Sequence, residues 1–203
     1  MAHKILILTS DAGFGHRRAA QAIEAALKER TNGDAEIEIR NPLDAPELPD
    51  IVRGIETGYD DFVVDDPTLY QIAYAATDAP VVAQLMQSVM TTFLNRILAR
   101  WIHETRPDVI VTTYPAYTQA LVRAAAAANR SIPVDVVVTD LIDVHSLWFH
   151  QRATLTFVPT ENVYEQALQH GLPPARLKAF GLPVHPKFAK LRERDRLEIR
   201  RAL

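Results

Sequence analysis

The chain has 203 residues, of which 48% are hydrophobic and 23% charged, with a formal net charge of −3. That is globular composition with room for one full core, and the small acidic excess argues against a protein that wraps nucleic acid. The absence of cysteine excludes disulfides, thiolate nucleophiles and cysteine-held zinc.

The N-terminus offers only Ile5-Leu6-Ile7-Leu8 as an apolar run, too short for a secretory signal. No run approaches the roughly 20 residues of a spanning helix. A cytoplasmic protein is therefore expected, with peripheral contact to a membrane left open. Ile5–Leu8 reads as a parallel strand buried on both faces. After a turn at residues 11–15, His16 to Glu29 carries Ala19, Ala20, Ile23, Ala26 and Leu27 at helical spacing. Glu36 to Arg40 alternates and reads as a half-exposed strand. Residues 41–80 hold prolines at 42, 46, 49, 67 and 80 and read as short broken helices. Val81 to Thr105 is a long helix with a broad apolar face, expected to be core.

From Asp108 the alternation resumes. Strands are expected at 108–112, 134–139, 153–158 and 178–180, and helices at 116–129, 160–170 and 187–203. Thr160 is the expected N-cap of its helix and Gly171 its C-cap. Strands alternating with helices imply an α/β, Rossmann-like, doubly wound and mainly parallel sheet. Residues 1–190 form the expected domain, and residues 191–203 a polar linker helix toward a further domain.

Two loops carry the chemistry. Gly13-Phe14-Gly15-His16 joins the first strand to the first helix. Such a turn either serves only to reverse the chain or lets a ligand approach the backbone at a helix N-terminus. His16 sits where the helix dipole disfavours its cation, which suits a neutral imidazole that accepts a proton. A generic dinucleotide site is disfavoured, because the third glycine of that fingerprint is Arg18 and the second strand ends at Arg40-Asn41 without an acidic residue. The second loop begins at Asp140, beyond a strand end, where open α/β sheets bind ligands. It contains Asp143, His145 and His150, with Trp148-Phe149 read as an apolar platform. This cluster suits a His/Asp metal site, a sugar or lipid-head site, or a polar loop over a buried Trp. Thr113 and Tyr114 end another strand on the same edge, able to bond a ligand or to cap the next helix.

Residues 5–23, with the Gly15-His16 turn and its alanine helix, resemble the opening of the monogalactosyldiacylglycerol synthase family, which includes the bacterial processive diacylglycerol glucosyltransferases. Val137-Val138-Thr139-Asp140 through His145, Trp148-Phe149-His150 and Phe157–Thr160 resemble its second block. Gly181-Leu182-Pro183-Val184-His185-Pro186-Lys187-Phe188 resembles the block that closes its N-terminal domain. Phe14 stands where the plant-type turn has glycine.

The resemblance implies the N-terminal half of a GT-B fold. It also implies transfer of a hexose from a UDP-sugar to diacylglycerol or a related lipid, with no bound metal or cofactor. His16 and Asp140 would be catalytic. Gly13, Phe14, Gly15, Thr113, Tyr114, Asp143, His145, Trp148 and Phe149 would meet the acceptor. The donor would be held mainly by a C-terminal domain outside this sequence, so the chain alone should be inactive. The implied partners are a glycerolipid and the inner face of the cell membrane, with a homo-oligomer left open. The alternative is a non-catalytic lipid-binding or assembly subunit that recruits a separate donor-binding chain.

Overall fold

The computed structural model describes residues 2–12, 15–54, 76–128 and 130–191. The expectations for Gly13, Phe14, the broken helices within 55–75 and the linker helix at 192–203 fall outside them. Six strands form one sheet in the order β2-β1-β3-β4-β5-β6, and every neighbouring pair is parallel. They are β1 (Lys4–Leu8), β2 (Glu36–Arg40), β3 (Val109–Thr112), β4 (Val134–Val137), β5 (Leu155–Val158) and β6 (Leu177–Ala179). The helices are α1 (Gly15–Arg30), α2 (Asp50–Arg53), α3 (Pro80–Thr105), α4 (Thr118–Ala127), α5 (Glu161–Gln169) and α6 (Pro186–Leu191). This is the expected doubly wound α/β sheet, with the strand order reversing between β1 and β3.

The period-2 alternation of the central strands sends side chains to two separate cores. Leu6, Leu8 and Ile110 face Leu94, Leu98 and Ile102 of α3 and Leu121 of α4. Ile7 and Val111 face the opposite way, against Ala20 of α1. Ala19, Ala20 and Ala22 are all buried on α1, and such small residues let a helix lie close to the sheet. A third cluster gathers Val136, Val138 and Val158 with Val163 and Ala167 of α5, around Trp148. Each fully buried Leu contributes about 1.5–3 kcal/mol relative to exposure.

The helix ends follow their sequence signals. Pro80 sits in the first turn of α3, and Arg106 closes that helix in the left-handed region at φ 49°. Thr160 caps α5 by accepting from Val163 N. Gly171, at φ 80°, ends it, with Leu172 N bonded to Ala167 O.

Some boundaries moved. Pro115-Ala116-Tyr117 forms a 3-10 turn, so α4 begins only at Thr118. Val138 still donates to Phe157 O, but Thr139 and Asp140 have left the ladder. Helix α3 divides along its length. Met90, Leu94, Ile97, Leu98 and Ile102 are buried, as expected of a core helix, whereas Val81 is 80% and Leu85 63% exposed, and Val89 and Phe93 are also exposed. No helix among the described residues is long and apolar enough to cross a membrane.

Candidate active site at the carboxyl edge of the sheet

All strands run the same way, so the segments leaving β1, β3 and β4 emerge on one edge. The reversal of strand order between β1 and β3 opens a crevice there. His16 enters it as the second residue of α1, where the unpaired N–H groups of a helix start make a positive end. Its backbone and ring are held from different strands. Thr113, just beyond β3, has its hydroxyl 3.1 Å from His16 O and 2.9 Å from the Thr9 hydroxyl. Thr139, just beyond β4, places Oγ1 2.8 Å from His16 Nδ1. The ring of Tyr114 meets the imidazole edge-on at 5.0 Å, and Trp148 lies tilted at 6.0 Å.

This enclosure sets the charge of His16. Burial pulls its pKa below the ordinary histidine value, while the negative charge of Asp140 and then a hydrogen bond with the Thr113 backbone push the other way. The net result favours neutral imidazole, which has a lone pair to accept a proton. Asp140 is itself anchored, because Trp148 Nε1 donates to its Oδ2 at 2.7 Å. Next to the site, Arg17 grips Asp11 with two hydrogen bonds of 2.7 Å, which hold the Asp11 carboxyl below its usual range.

The loop after β4 is tied down at several points. Thr160 Oγ1 donates to Leu141 O at 3.0 Å, and Val144 N donates to Gln166 Oε1 at 3.2 Å. Asp78, just before α3, accepts from Ser146 N at 2.7 Å and lies 3.2 Å from Nδ1 of the buried His145. That Nδ1 is also 3.2 Å from Leu147 N, at the start of the Ser146–Trp148 3-10 turn. Burial lowers the His145 pKa, with the charge of Asp78 opposing. The loop is thereby fastened to the start of the long helix.

The structure brings His16, Asp140, Thr113, Tyr114 and Trp148 together. It corrects the expected roles of two of them, Trp148 and Thr113, and of Phe149. Trp148 is fully buried and Phe149 nearly so, with Phe149 packed on the His170 ring at 5.0 Å. The pair is therefore core beneath the site and not a platform open to lipid. Thr113 is also fully buried and spends its hydroxyl on Thr9 and His16. Gly15 opens α1 with open space where a Cβ would lie. Asp143 stays exposed on the loop.

Two residues were missed. Thr139 carried the same signal as Thr113, a hydroxyl at a strand end. Asp78 lay in a stretch whose prolines drew attention to breaks rather than to carboxylates. Among the described residues, no three His, Asp or Glu side chains gather closely enough to hold a metal ion.

The geometry can be set beside known proteins. The galactosyltransferase WaaB of the lipopolysaccharide outer core, in its apo form, superposes with a TM-score of 0.56 at 10% identity, covering 90% of this chain and 46% of that one, a likeness of fold. A probable chloroplastic monogalactosyldiacylglycerol synthase of Nicotiana tabacum is 33% identical over 189 residues, covering 92% of this chain and 35% of the relative. Chloroplastic monogalactosyldiacylglycerol synthase 1 of Arabidopsis thaliana is 32% identical over 202 residues, covering 98% and 37%. The chain thus spans little more than a third of the length of these curated relatives. The model of the monogalactosyldiacylglycerol (MGDG) synthase family matches residues 16–184, from the crevice histidine to the turn before α6, and on that match the chain belongs to the monogalactosyldiacylglycerol synthase family.

Proposed function

We propose that this chain is the acceptor-side half of a glycosyltransferase that moves a hexose from a UDP-sugar to diacylglycerol or a related glycerolipid. The observation that carries the reading is His16, a neutral imidazole at a helix start in the crevice between β1 and β3. In such a transfer the acceptor oxygen forms a bond to the anomeric carbon as the bond to the nucleotide diphosphate breaks. The acceptor proton must leave at the same time, and His16 takes it. Asp140 supplies a negative charge that favours the imidazolium as it forms. No bound metal is invoked. The donor is held by a second domain, in keeping with the share of the relatives that this chain covers.

Helix α3 presents the surface for a lipid substrate. Val81, Leu85, Val89 and Phe93 are exposed at four-residue spacing, hence on one face, and residues 80–95 carry no charge. Leu141 and Ile142 are exposed on the loop that Asp78 fastens to the start of this helix. An apolar face of this kind fits peripheral contact with the inner face of a membrane from the cytoplasmic side.

His16→Ala in the complete enzyme, assayed with UDP-galactose or UDP-glucose and vesicles containing diacylglycerol, should lower the rate about 10²–10⁴-fold. Activity close to wild type would remove His16 as the base. A second reading, favoured by the same partial coverage, is a subunit that recruits a separate donor-binding chain. Transfer that appears only when such a chain is added would select it.

A further inference from the structure

We propose that Thr139 is the positioning residue of His16: its hydroxyl accepts the Nδ1–H of the imidazole and so leaves Nε2 as the nitrogen that takes the acceptor proton. The inference rests on the reading of His16 as the base.

A neutral imidazole carries one hydrogen, and only the other nitrogen can act as a base. At 2.8 Å the Thr139 hydroxyl is within hydrogen-bonding distance of Nδ1, and a hydroxyl can either donate or accept there. If it donates, the hydrogen sits on Nε2 and that nitrogen is a donor. If it accepts, Nε2 holds the lone pair. With Nδ1 engaged by Thr139, Nε2 is the nitrogen left to take the acceptor proton, and a base there must carry the lone pair, which requires the second arrangement. The Asp140 charge acts on the ring in the direction that stabilises bound protons. Asp140 is the chain neighbour of Thr139, yet its Oδ2 is taken by Trp148 Nε1 at 2.7 Å. The carboxylate thus contributes its field, and the hydroxyl the direct contact. A hydroxyl is neutral, so it fixes the ring without raising its proton affinity as a bonded carboxylate would.

Thr139 is the side chain that bonds the ring directly. Thr113 fixes the backbone of His16 through its carbonyl. Tyr114 and Trp148 meet the ring at 5.0 Å and 6.0 Å. The Thr113 backbone also interacts with the imidazole, and the direct bond at Nδ1 comes from Thr139.

The test has two arms. In the complete enzyme, Thr139→Val should lower kcat about 10–100-fold, the size known for partners that orient metal-bound histidines, with the KM for nucleotide sugar and lipid unchanged and with activity restored in Thr139→Ser. Independently, 15N NMR of the wild-type chain near neutral pH should show His16 protonated at Nδ1 and bare at Nε2, and Thr139→Val should shift the population toward the other tautomer. A wild-type His16 protonated at Nε2 would overturn the proposal. So would an unchanged kcat in Thr139→Val, or a Ser variant as impaired as the Val one. The NMR arm does not depend on turnover: if His16→Ala keeps its activity, the base assignment fails while the tautomer still reports what Thr139 does.

Discussion

Trp148 and Asp140 are joined by a 2.7 Å hydrogen bond from the indole Nε1 to Oδ2, and this bond links the largest fully buried side chain to the charge beside His16. The indole serves two ends: its body fills the core between β4, β5 and α5, and its one polar atom reaches up to the site. Trp148→Phe keeps most of the apolar volume and removes the donor. It should destabilise the chain by about 1–3 kcal/mol, the range for a polar group left short of its partner. In urea the midpoint should fall with the slope unchanged. A midpoint equal to wild type would mean that the bond contributes nothing.

Acid should weaken the fold earlier than its carboxylates alone would dictate. Burial lowers the pKa of His16, His145 and His150 from the ordinary 6.5, and Arg152 and Arg123 add to the effect at His150. The unfolded chain binds protons at these three positions before the folded chain does. Their contribution is therefore fully present above about pH 6.5 and is lost as the pH falls through the depressed folded values. Thermal midpoints measured downward from neutral pH should drop in this window, and His150→Gln should flatten the drop. A flat profile would contradict the burial of these rings.

Asp135 works in the opposite sense. It stands on the central strand β4, where burial raises its pKa and a hydrogen bond from the Leu155 backbone only partly compensates. Its Oδ1 is buried with no hydrogen-bond partner among the described residues. The folded chain holds that proton more tightly than the unfolded one, so the charged form costs stability at neutral pH and the cost disappears in acid. Asp135→Asn should raise the midpoint at neutral pH, with the gain shrinking as the pH falls toward 3.8. A variant that is less stable at neutral pH would show that the carboxylate has a structural task.

The exposed face of α3 can be separated from its buried face by position. Leu85→Glu changes a side chain that is 63% exposed and should leave the unfolding midpoint nearly unchanged, within about 0.5 kcal/mol. It should reduce cosedimentation with diacylglycerol-containing vesicles. Equal vesicle binding by the variant would move the membrane contact elsewhere.

The layers of this fold were legible because its signals are periodic. Ile5–Leu8 and the 26 residues of α3 announce themselves by runs and spacing, and Thr160 and Gly171 mark the ends of α5. The directions of loop side chains carry no such period. The sequence therefore leaves Trp148 open to two readings, a platform for ligand or a buried ring, and the structure selects the second, with Trp148 in one buried cluster with Val136, Val138 and Val163. Asp78 became visible only through its contacts with Ser146 and His145, 68 and 67 positions away in the chain. The hydroxyl partner of His16 lies one residue before the carboxylate that sequence reasoning singled out, and spacing alone could not choose between them.

The parallel order of the strands also has a consequence for assembly in time. His16 and Thr139 are 123 positions apart, and Thr113 is 97 positions from His16. Parallel neighbours cannot be closed by a short hairpin, so each strand docks only after its crossover has folded. His16 therefore gains its ring partner only once the chain has reached β4 and β4 has joined β3. The residues of α1 are synthesised long before Thr139, so the crevice around His16 is assembled from segments that meet only when the sheet closes.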